Sequence, residues 1–170
     1  MSIRKQHIER ITKVARALGD LNEQVVYVGG AVVSLYVSDP AAPDVRPTDD
    51  VDIILEITSV GKLEALRDDL RKKGFKQSSD DDVLCRFRCE GIKVDVMATQ
   101  KVSWAPANPW FKPGFKELET RTVNDLSIQI LSLPYYLATK LTAFRDIKPD
   151  SFFVFPQNPE ADRLQVTEIR

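Results

Sequence analysis

The residues of this sequence best suited to chemistry are three aspartates. In the run from Asp50 to Ile57 the apolar residues Val51, Ile53, Leu55 and Ile57 alternate. Alternation places them on the core face of a strand and leaves Asp50 and Asp52 together on the other face. Ile92, Val94 and Val96 alternate in the same way and leave Asp95 pointing away from the core with Lys93 and Met97. If the two strands are neighbours, three carboxylates converge. Like charges that close need protons or cations between them, and oxygen ligands suit magnesium or manganese. A pair of such ions about 3.5–4 Å apart can hold both the attacking and the leaving oxygen of a phosphoryl transfer. A lone Asp-x-Asp at a strand end commonly just faces water; the matching phase of two strands is what gives this one weight.

Val28-Gly29-Gly30 adds a second element, a glycine pair between a predicted strand and a predicted helix. Backbone amides at such a turn can receive a phosphate, and glycine lets a triphosphate approach the backbone closely. No Gly-Lys-Ser/Thr follows, and the G-x-G-x-x-G dinucleotide fingerprint is missing. The combination is a phosphate cradle beside a metal-binding strand.

The elements that must position these residues are legible from periodicity. Ile8, Ile11, Ala15 and Leu18 recur at helical spacing, with Arg4, Lys5, Arg10, Lys13 and Arg16 on the other sides and Gly19 as a stop. That basic face reads as solvated surface. Residues 24–28 predict a strand, 31–37 an apolar helix, 38–47 a proline-rich irregular loop, and 50–57 the strand of Asp50 and Asp52. Leu63, Leu66 and Leu70 predict a helix ending in Lys72-Lys73-Gly74. Residues 83–89 and 92–97 predict a hairpin around Glu90-Gly91, and 126–131 a further strand. Residues 101–120 hold Trp104, Trp110, Phe111 and three prolines and predict an aromatic loop on the core. Pro134 opens a helix with Leu137, Leu141 and Phe144 on one face, and the tail after Asp150 has no clear period. The expected fold class is α/β (α+β), a mixed β-sheet with flanking helices mainly on one face and the site at its strand ends.

Composition narrows the chemistry. With 170 residues the chain fits one domain, and 24 basic against 25 acidic residues leave a net charge of -1, which argues against charge-driven binding to nucleic acid or membrane. Two cysteines, Cys85 and Cys89, are too few for a disulfide framework and read as packing residues. The single histidine, His7, reads as a surface residue and disfavours His-based metal sites and triads. With no apolar leader and no run long enough to span a bilayer, a cytoplasmic location is expected.

Val28-Gly29-Gly30 followed by Asp50-Val51-Asp52 resembles the signature of the nucleotidyltransferase superfold of DNA polymerase β and the tRNA CCA-adding enzymes. The stretch Arg46-Pro47-Thr48-Asp49-Asp50-Val51-Asp52 is similar to the Arg-x-Thr-x-Asp-x-Asp form of the AbiEii-like nucleotidyltransferases, which include toxins of toxin-antitoxin systems. The lysine and alanine of Lys140-Leu141-Thr142-Ala143 resemble those of their later helix. The gap from Gly30 to Asp50 is longer than usual, and the proline-rich loop absorbs it.

This resemblance implies a nucleotidyltransferase core over residues 1–133 and a C-terminal helical segment and tail over 134–170, together one compact domain. It implies nucleotide binding by Gly29, Gly30, Thr48 and Lys140, and metal binding by Asp50, Asp52 and Asp95. Asp50, Asp52, Asp95 and Lys140 would be catalytic, with Asp95 also helping to deprotonate the acceptor. The implied reaction moves a nucleoside monophosphate from a nucleoside triphosphate to an acceptor hydroxyl with Mg2+ or Mn2+, releasing pyrophosphate. The acceptor would be an RNA or tRNA end or a protein, and a cognate antitoxin would be a partner. Two alternatives stay open: an aminoglycoside- or lincosamide-type antibiotic nucleotidyltransferase, and a catalytically silent module that binds a nucleotide or a partner.

Overall fold

The computed structural model describes residues 1–39 and 41–146, so Pro40 and residues 147–170, among them the tail read after Asp150, lie outside the described residues. Among the described residues the α-helices are α1 (Ile3–Leu18), α2 (Val33–Tyr36), α3 (Val60–Lys72), α4 (Phe111–Gly114) and α5 (Leu133–Asp146), with a 3-10 helix over Gly19–Gln24. The strands are β1 (Val26–Val28), β2 (Asp50–Leu55), β3 (Arg86–Cys89), β4 (Ile92–Ala98), β5 (Leu118–Val123) and β6 (Leu126–Leu131). They form one sheet in the order β3-β4-β2-β1-β6-β5. β1 runs parallel to β6 and antiparallel to β2, and β2 runs parallel to β4, so the sheet is mixed.

Strand alternation makes one face of this sheet continuously apolar. Tyr27, Val51, Ile53, Val94, Val96, Ile128 and Ile130 are all fully buried there. α1 lies against β2, β4 and β6, while Leu63, Leu66 and Leu70 of α3 join the same core. Ser2 caps α1 by accepting the Lys5 amide, and Gly19, at φ +59°, ends it. Ser59 caps α3 in the same way.

Two expectations need correction. The helix read over 31–37 is only the single turn of α2, because residues 29–32 form a turn first. The aromatic stretch does pack on the core, with Trp104 against Phe87 and Arg67, but its end is β5. β5 is joined to β6 through Asn124 and Asp125, both at positive φ as a tight hairpin turn requires. Before the buried Val123 its residues are half-buried or exposed and offer no continuous apolar face to read. Leu137, Leu141 and Phe144 share a face of α5 as expected, and that face is exposed while Tyr136 and Thr139 are buried.

One buried polar link ties the segment before β1 to the sheet. Asn22 donates to the Ser127 carbonyl at 2.9 Å and accepts from the buried Tyr27 hydroxyl at 2.7 Å. Asn22→Ala strands that hydroxyl, and a buried orphan of this kind costs about 1–3 kcal/mol. Urea titration should show that loss in Asn22→Ala, and adding Tyr27→Phe should recover part of it; equal losses in the single and double variants would refute the link.

Candidate metal and nucleotide site

The parallel pairing of β2 with β4 sets Asp52 beside Asp95 and Asp50 beside Lys93. Asp50, Asp52 and Asp95, each half-buried, offer one oxygen apiece within 4.8 Å of one another. The convergence expected from strand phase is therefore present.

Two of the carboxylates are held from outside the two strands. Thr48 donates its hydroxyl to Asp50 across a very short contact. Arg86, opposite Asp95 on the β3–β4 hairpin, donates Nε to Oδ1 and Nη2 to Oδ2, both at 2.7 Å. The same Nη2 lies 3.7 Å from Asp50. Asp52 has the least relief: burial, then Asp50, then Asp95 push its pKa up to about 7. Lys140 on α5 faces it, with Nζ 5.4 Å from the centre of the Tyr136 ring. Burial lowers the Lys140 pKa, while Asp52 and Asp50 pull it back up.

The glycine pair sits against these carboxylates. Gly29 has φ +79°, and a Cβ there would lie 1.7 Å from an Asp52 oxygen. A Cβ on Gly30 would press on the Thr48 side chain at 3.2 Å. The Gly29 carbonyl accepts the Tyr136 hydroxyl at 2.8 Å, which docks α5 over the turn. Two clefts share Asp52 and Lys140. One, of about 500 Å³, is lined also by Gly30, Arg46, Thr48 and Asp50. The other, of about 260 Å³, is walled by Val28, Gly29, Met97, Asn108 and Phe111. A larger cavity of about 580 Å³ lies at the opposite end of β1 and β2 and contains none of the triad.

Helix α1 fixes the loop that leads into Asp50. His7, expected at the surface, is fully buried. Its Nδ1 lies 3.0 Å from the Ser34 hydroxyl, and its Nε2 accepts the Thr48 amide at 3.3 Å. Arg10 donates to the Thr48 carbonyl and pairs with Asp49. Arg4 donates to the carbonyls of Asp39, Ala42 and Pro43, and Asp44 accepts the amides of Ile3 and Arg4 at the start of α1. Arg4 and Arg10, read as solvated, are therefore structural clamps. The spacing His7, Ile11, Val14, Leu18 puts the histidine on the buried side and is the signal that could have found it. Cys85 and Cys89 are buried and free, as expected, with burial raising both thiol pKa values. Asp81, in the acidic run before the hairpin, is clamped by Arg88.

No family model matches this sequence, and no curated protein does. Among solved structures, the chain is similar to an antigenic nucleotidyltransferase-like protein from Paracoccidioides brasiliensis, at 23% identity and a TM-score of 0.56, over 81% of this chain and 66% of that one. It is also similar to a candidate nucleotidyltransferase from Thermotoga maritima, at 17% identity and a TM-score of 0.53, over 99% of this chain and 96% of that one. The chain thus has a nucleotidyltransferase-like fold with an acidic cluster able to coordinate a divalent metal. Among the described residues no helix is long and apolar enough to cross a membrane.

Two outcomes follow from this geometry. An acid whose folded pKa is raised binds more protons folded than unfolded, so stability is fullest below the usual value of 3.8 and is lost as pH rises toward about 7. In EDTA at pH 8, Asp52→Asn should melt above wild type, at about 2–4 °C per kcal/mol gained, and the gap should close toward pH 4; a gap independent of pH would refute the assignment. Gly29→Ala should cost about 1–2 kcal/mol from its left-handed backbone alone. It should also turn Asp52 aside, measured as weaker Mn2+ binding by electron paramagnetic resonance.

Proposed function

We propose that this protein is a metal-dependent nucleotidyltransferase that transfers a nucleoside monophosphate from a nucleoside triphosphate to an acceptor hydroxyl. The observation that carries the reading is the convergence of Asp50, Asp52 and Asp95 between two clefts that share Lys140. A hard divalent cation fits this donor set, because all three ligands are carboxylate oxygens that lie within 4.8 Å of one another. When bound, Mg2+ or Mn2+ would supply Lewis-acid stabilisation of the charge that develops on the phosphoryl oxygens.

Within this reading the larger cleft takes the triphosphate. Gly30, Thr48 and Arg46 line it, and Lys140 places a positive charge beside Asp52 where the phosphates would enter. Gly29 acts by leaving room for the Asp52 carboxylate. In the transfer the acceptor oxygen bonds to the α-phosphorus, the bond from that phosphorus to the β-phosphate oxygen breaks, and pyrophosphate leaves. The acceptor proton passes to a carboxylate of the triad, with Asp95 in that role.

The acceptor in this proposal is an RNA or tRNA end or a protein hydroxyl, on the strength of the AbiEii-like pattern at Arg46, Thr48, Asp50, Asp52 and Lys140. A cognate antitoxin belongs to the same reading. Trp110, 42% exposed and next to Phe111 of the smaller cleft, offers a ring on which a base can stack. Incubation with Mg2+, each labelled nucleoside triphosphate and total RNA should move label into RNA or into protein. The Asp50→Ala/Asp52→Ala variant should lose transfer by a factor of 100 or more, on the order of what loss of charge stabilisation costs. Undiminished labelling by that folded variant would overturn the reading.

A further inference from the structure

We propose that Arg86 is a built-in counter-cation that competes with divalent metal for Asp95, so that the nucleotide-free protein holds one ion on Asp50 and Asp52. The second ion enters only where the Arg86–Asp95 pair yields. The inference rests on the triad being a metal centre and is indifferent to the acceptor.

The geometry points there on three counts. Both Asp95 oxygens are engaged by one guanidinium in the bidentate form that gives such pairs their strength. The partners are largely shielded from water, with 18% of the Arg86 and 14% of the Asp95 side chain exposed. The pair is also fixed by its strands: the two-residue turn at Glu90-Gly91 pairs Cys89 with Ile92, which sets Arg86 directly opposite Asp95. Arg86 further reaches toward Asp50 at 3.7 Å and lowers the Asp52 pKa, so its charge acts on all three ligands. A guanidinium cannot be deprotonated out of the way, and it repels an incoming cation for as long as it stays. Arg86 is thus a positioning residue: it aims Asp95 and withholds it.

The test is Mn2+ titration by electron paramagnetic resonance on nucleotide-free wild type, Arg86→Gln and Arg86→Lys, with circular dichroism to check folding. Wild type should bind one ion. Arg86→Gln should bind at least tenfold more tightly or take a second ion, on the order of what removing a nearby positive charge allows. Arg86→Lys, which keeps the charge, should stay within about threefold of wild type. The Mg2+ concentration for half-maximal transfer should fall in Arg86→Gln. Equal or weaker Mn2+ binding by folded Arg86→Gln would overturn the proposal, as would two tight ions in wild type. Tight binding that survives Asp50→Asn/Asp52→Asn in either background would instead overturn the triad itself as the metal centre, so the two failures are distinct.

Discussion

Electrostatic repulsion among three carboxylates is the constraint on which the rest of this structure depends. The register of β2 on β4 leaves Asp52 and Asp95 no escape along the backbone. A one-residue slip would turn Val51 and Val94 out of the core. Relief therefore comes from elements around the pair: Arg86 from the hairpin, the Thr48 hydroxyl from the loop, and Lys140 from α5. Asp52 receives least, and burial together with its two carboxylate neighbours pushes its pKa up to about 7. Natural sequences tolerate such local conflict mainly where it serves binding or chemistry.

What the sequence made legible follows from which forces are local. Strand phase is local, so the faces carrying Asp50, Asp52 and Asp95 could be read from alternation. The apolar spacing of α1 and α3 was equally plain. Strand order is a long-range property, and nothing in the segments themselves says that β4 lies beside β2. Arg86 was within reach, because a two-residue turn at Glu90-Gly91 leads by counting to Asp95. β5 was not, since an edge strand half-open to water lacks the one-sided apolar pattern that marks strands.

α5 shows the opposite failure, in which a clear pattern points the wrong way. Leu137, Leu141 and Phe144 align as a core face should, yet they lie outward. The inward face carries Tyr136, Thr139 and Lys140 because this helix roofs a charged cleft. An apolar face turned onto Asp52 would deepen its desolvation and leave the Gly29 carbonyl without the Tyr136 hydroxyl. The rule that amphipathic helices turn their apolar side to the core holds where the core is apolar, and the triad makes this part of it polar.

The same helix explains why the glycine turn and the lysine act as one device. With no Cβ, Gly29 lets Asp52 approach; its carbonyl then anchors Tyr136, and Lys140 rests over the Tyr136 ring one turn further along α5. Moving the glycine would displace a carboxylate and its counter-cation together. Even so, Arg86 is committed to one side of the cluster, on Asp95 and toward Asp50, while Lys140 faces Asp52. On the proposed function, a triphosphate entering the cleft beside Lys140 would add further negative charge next to Asp52. In the proposed reaction a second divalent cation would then arrive together with the triphosphate, whose negative charge offsets the repulsion from Arg86.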